Sequence, residues 1–273
     1  ILLGLIVISA LAWGQTIRMA GDMAGDMAMP GMGAFPGLPD LRLSAPVGAG
    51  AAHMSMPSEA MGHHMMAAPV TLVVMWVVMM IGMMLPAATA MILAFSGVNV
   101  SRRKQGRPAV ATWIFVFGYV VVWALFGIGA AALQILLQAG AMMSHDMALA
   151  SPVLAAAVLI GAGAYQFSTW THNCLKHCRS PMSFVMNDWR PGRAGAFVMG
   201  FRHGLYCLGC CWLLMLVMFS VGTMNLTLMA MLTFYFLVEK LLPYGQITAR
   251  LAGGAMIVAG IATLTGHLSW SPM

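Results

Sequence analysis

The sequence predicts an all-α fold, a polytopic transmembrane bundle of about seven helices. Three observations predict it. Hydrophobic residues make up 61% of the chain and charged residues 7%, where a soluble domain carries about 25% charged residues. The apolar residues fall into runs long enough to cross about 30 Å of hydrocarbon, which takes about 20 helical residues. Lys and Arg gather in alternate connections, as membrane topology sorts them. The net charge of +6 comes with no basic stripe interleaved with aromatics. The expected partner is therefore the lipid bilayer, and nucleic acid is not expected.

The elements follow in order. Residues 1–13, Ile1 to Trp13, are apolar but too short to span. Ala10-Leu11-Ala12 has the look of a signal-peptide cleavage site. We read the stretch instead as the end of a retained first transmembrane helix, with residues upstream of Ile1. Residues 14–69 are rich in Gly, Pro, Ala and Met with almost no aliphatic periodicity. Such a segment buries little core, and it is expected to be a Met/His-rich extracytoplasmic loop. Residues 70–273 form a six-helix transmembrane core. Its runs are roughly Val70–Phe95, Val110–Leu137, Leu149–Phe167, Ala194–Val221, Met224–Leu242 and Ile247–His267.

Orientation comes from the basic residues. Of the 13 Lys and Arg residues, only Arg18 and Arg42 fall on one side of the expected spans. The rest, from Arg102 and Arg103 to Lys240 and Arg250, fall on the other. The positive side is cytoplasmic by rule. The long first loop and the C-terminus are then extracytoplasmic, and the expected location is a bacterial cytoplasmic (inner) membrane.

The chemistry lies in sulfur. Five cysteines form two clusters, Cys174-x-x-x-Cys178 and Cys207-x-x-Cys210-Cys211. Residues three or four apart are neighbours on a helix. Each cluster therefore presents its sulfurs in one direction. Clustered thiolates are soft ligands suited to Cu(I), with zinc or iron as alternatives. His203 stands one turn before Cys207, and an ionisable residue inside a span is a functional candidate by default. His177 sits within the first cluster, with His172 as a spare, and Lys176 and Arg179 are expected to favour its thiolates.

Methionine is the second sulfur source, with 29 Met in 273 residues. The run from Met75 to Pro86 carries two lines of thioethers, Met75-Met79-Met83 and Met80-Met84 beside Trp76. Met also serves as an adaptable hydrophobic filler, so a buried ladder alone is not a site. Filling explains less in the expected outer loops. His53, His63, His64 and His145 are interleaved there with Met, and Asp146 follows His145. Thioether favours Cu(I), and imidazole with carboxylate favours Cu(II). Asn225, Glu239 and Lys240 fall at span ends and read as structural.

Several of these residues recur in order. Met75-Trp76 to Pro86, Tyr165-Gln166, Cys174-x-x-x-Cys178-Arg179-x-Pro181, Cys207-x-Gly209-Cys210-Cys211-Trp212, Gly222-x-Met224-Asn225-Leu226 and Glu239-Lys240 form one ordered set. Together they resemble the bacterial family of predicted metal-binding integral membrane proteins, from about Val70 to the C-terminus. The resemblance implies metal binding and no particular activity.

Three functions remain open at this stage. The first is a copper-handling membrane protein that binds or moves Cu(I) between the outer side and a Cys/Met site, alone or for a cuproenzyme. The second is a non-catalytic accessory subunit among other membrane subunits. The third is thiol redox chemistry, for which Cys207-x-x-Cys210 has the spacing. No nucleotide-binding loop signature is present to drive transport.

Overall fold

The computed structural model describes residues 2–27, 58–106, 109–143, 148–223, 225–242 and 244–266. Ten α-helices lie among them: α1 (Leu2–Met27), α2 (Ser58–Ala87), α3 (Thr89–Lys104), α4 (Thr112–Ala139), α5 (Pro152–Tyr165), α6 (Thr169–Arg179), α7 (Pro181–Asn187), α8 (Gly192–Val221), α9 (Leu226–Leu241) and α10 (Gly245–Leu264). The all-α bundle is as expected. Its elements are divided differently.

Among the described residues, five helices are long and apolar enough to cross a membrane, against the seven expected. They are Leu2–Gly21, Pro69–Ala87, Thr112–Ala139, Gly192–Val221 and Gly245–Leu264. Local chemistry explains the difference. The run Val70–Phe95 breaks at Ala88, just after Pro86, a residue without a backbone N–H to donate. The run Leu149–Phe167 yields the 14 residues of α5, which rise only about 21 Å. The pair α5 and α6 would count as a sixth span, but it bends by 63°. Ser168 makes that break by accepting from Thr171 N at 3.2 Å as the cap of α6. The 16 residues of α9 reach about 24 Å, again short of the hydrocarbon thickness.

Within residues 14–69 the structure describes helix at both ends. Helix α1 continues to Met27 and α2 begins at Ser58. Asn225 is indeed structural: its side chain accepts from Leu228 N at 3.0 Å and caps α9.

Helix α8 lies at the centre, with α4, α5 and α6 packed on it. Glycine permits the α4 contact. A Cβ at Gly200 would run into the Phe115 carbonyl oxygen, and one at Gly118 into that of Phe197. Gly204 faces Val122 at 2.8 Å from an added Cβ. Small residues at four-residue spacing bring the helices together in this way. The partner is α4. A similar pair, Gly163 and Gly253, seats α5 against α10.

The thioether ladder is fully enclosed. Met75, Met79, Met80, Met83 and Met84 are all buried. Trp76 beside them donates from Nε1 to Gln134 Oε1 at 2.6 Å and stacks on Phe219.

A candidate copper centre

Three helices converge where the sulfurs meet. Helix α8 carries Cys207, Cys210 and Cys211 at its middle, all buried. The Cys210 and Cys211 thiols fold back onto the Cys207 carbonyl, donating at 3.0 and 2.9 Å. Helix α6 brings in Cys178, whose thiol is within hydrogen-bonding reach of the Cys207 and Cys210 sulfurs. Cys211 makes the same kind of contact with Cys207 and Cys210. Four sulfurs from two helices thus form one cluster. All five cysteines are free thiols.

Helix α9 closes the third side. Lys240 Nζ donates to Cys207 Sγ at 2.8 Å. Tyr119 of α4 adds a fourth contact. Its hydroxyl oxygen lies 3.2 Å from Cys207 Sγ, and its O–H donates to the Met84 carbonyl at 3.0 Å. The α2 ladder and the cysteine cluster are therefore linked through one tyrosine. Tyr165 of α5 donates to the Gly209 carbonyl at 2.6 Å and braces α8 between its cysteines.

The family model for PpoB2, described as a copper chaperone, matches residues 73–263. The chain belongs to the PpoB2 copper-chaperone family. No curated protein and no solved structure matches it. The matched span contains all five cysteines, the Met75–Met84 ladder and Lys240.

Within this copper-chaperone chain the expected ligands separate into groups. His203 is buried one turn from Cys207. Its ring sits among Phe115, Tyr119 and Phe184, with centroids at 6.2, 5.6 and 5.7 Å. Its Nδ1 has no hydrogen-bond partner. A buried, unpaired nitrogen is costly unless something fills it.

Cys174 sits at the rim, half-buried, with its sulfur 2.8 Å from where a Cβ on Gly209 would be. Helix α6 lies outside the five spans. Burial, and then the neighbouring Cys210, push the Cys174 thiol pKa up. That opposes the expected effect of Lys176 and Arg179. Lys176 is exposed, and Arg179 donates to the Leu242 carbonyl at 2.7 Å.

His177 leaves the sulfurs altogether. It is exposed, its ring stacks on Tyr206 at 4.5 Å, and Nδ1 lies 2.8 Å from the Asn173 carbonyl. It lines a separate cavity of about 280 Å³ with Lys176 and Asp188. His172 lines another, beside Gln246. His53 and His145 lie outside the described residues, and of the His63 and His64 side chains nothing is described.

Among the described residues, no set of three or more His, Cys, Asp or Glu side chains is arranged to hold a metal ion. The contacts above give the reason. The sulfurs are turned onto one another, onto the Cys207 carbonyl and onto Lys240.

The residues that sequence reading missed are Tyr119 and Lys240. Lys240 looked like a span-end residue. The hairpin register could have found it. From the α8–α9 turn, Cys207 lies about 14 residues back and Lys240 about 14 residues on from Leu226, so both sit about 21 Å below the turn.

Proposed function

We propose that the chain is a membrane-embedded copper chaperone that takes Cu(I) as cargo on Cys178, Cys207, Cys210 and Cys211, with His203 as the nitrogen donor. One observation carries this reading: a cysteine of α6 meets Cys207 and Cys210 of α8, beside Cys211, in a buried cluster. Cu(I) is soft and prefers thiolates. In a low-dielectric interior a cation and thiolates neutralise one another, whereas thiolates alone would be costly. The family description, copper chaperone, supports copper over zinc and iron. The Met84 backbone carbonyl lies one tyrosine away from the cluster, and the thioethers of that helix would offer neutral soft donors for transfer. The Met/His-rich stretch around His53, His63 and His64, with His145, would collect the ion at the entry side.

The test replaces Cys207, Cys210 and Cys211 together by Ser. Elemental analysis of the reduced, purified protein should show wild-type copper and near-complete loss in the variant, with membrane insertion retained. Full metal content in the triple variant would sink the assignment.

A further inference from the structure

Lys240 is the one cation in contact with the sulfur cluster among the described residues. It is buried, at 8% exposure. Its ammonium donates to Cys207 Sγ, and the Phe236 ring lies below it at 5.7 Å. A buried ammonium needs a compensating partner. Here that partner is a sulfur, the atom a soft cation would use. Beside it on α9 is Glu239, fully buried. Glu239 Oε1 accepts from the Tyr235 hydroxyl at 2.8 Å, and Oε2 has no hydrogen-bond partner. The carboxyl is within electrostatic range of Lys240 and of Cys210. The cluster therefore holds an occupied cation position next to an unfilled acceptor.

We propose that Lys240 is a placeholder for the cargo: its ammonium covers the Cys207 sulfur while no ion is bound, and withdraws toward the Glu239 carboxyl when Cu(I) enters. The inference rests on the reading of the cluster as the copper site. One monovalent cation replaces another at the Cys207 thiolate, each further thiol that joins Cu(I) releases its proton to solvent, and the displaced ammonium is compensated by a carboxyl already buried nearby. No electron moves, and no covalent bond other than the copper–sulfur coordination forms. The exchange explains why the sulfurs stand closed. It also gives a chaperone what it needs for delivery, a tethered competitor that weakens the grip and speeds release.

The experiment compares wild type, Lys240→Gln, Lys240→Arg and Glu239→Gln, each titrated with Cu(I) against the chelator bicinchoninate. Removing the competing charge should tighten Cu(I) binding in Lys240→Gln by about tenfold, and slow its loss to chelator by a similar factor. Lys240→Arg keeps a cation there and should stay near wild type. Glu239→Gln removes the acceptor and should weaken binding. Unchanged or weaker binding in Lys240→Gln would overturn the proposal, because a lysine that merely favours thiolates predicts weakening. If Lys240→Gln does not fold, Glu239→Gln decides alone, and wild-type affinity there overturns it. Failure of wild type itself to bind Cu(I) would sink the parent reading instead.

Discussion

At the scale of single residues, the two cysteine motifs behave differently from one another. The Cys207 trio stays together because one helix carries it, and helical spacing alone puts its sulfurs on one side. The Cys174 motif divides: Cys178 joins the trio and Cys174 remains at the rim. Spacing within α6 could not tell which of the two faces α8. That depends on the 63° break after Tyr165, a tertiary feature. Replacing Cys178 by Ser should therefore lower Cu(I) affinity by at least about tenfold, while His177→Ala should leave it unchanged. Chelator competition on both variants checks this. Equal losses would mean that α6 contributes through its fold and not through Cys178.

At the scale of elements, glycine decides how close the helices come. The close approach of α4 to α8 leaves no space for a side chain at Gly200, whose missing Cβ would strike the Phe115 backbone. Backbone cannot yield as a flexible side chain does. Gly200→Val should cost roughly 1–3 kcal/mol or more, seen as a lowered melting temperature in detergent. Gly209 is the contrasting case. Its added Cβ would meet only the Cys174 sulfur, the end of a movable side chain. Gly209→Ala should keep the fold and displace the rim thiol. The reading is a change in the rate of Cu(I) exchange with chelator, with little change in melting. A melting loss as large as that of Gly200→Val would show that α6 itself cannot move.

The same scale shows why element boundaries were hard to read. Hydropathy marks apolar runs, but it does not distinguish a span from a short buried helix. One face of α9 packs inside the bundle, as with Met229 and Phe236, while Met231 and Phe234 on the other are exposed. Its length fails the hydrocarbon. Pro86, which has no backbone N–H, stands one residue before the end of α2.

At the scale of the whole molecule, the bundle arranges its charge in a way that has a consequence for sidedness. Helix α3 ends on Arg102, Arg103 and Lys104. Arg190 and Arg193 lie at the start of α8, and Arg250 lies near the start of α10. Basic residues near span ends are retained on the cytoplasmic side, because moving them across the bilayer during insertion is unfavourable. The ends of α3, α8 and α10 share a side only if the bent α5–α6 pair and α9 each carry the chain back across, in addition to the five long spans. A reporter fused after Arg107 should therefore be cytoplasmic, and one placed between α1 and α2 should be on the far side. The thiol cluster sits midway along α8, about 21 Å from the α8–α9 turn, so the two sides differ in how cargo reaches it. Thiol labelling with a membrane-impermeant reagent separates the sides: Cys174 should react in inside-out vesicles and be protected in right-side-out ones. Matching reporter locations, or Cys174 labelling from the far side, would invert the orientation.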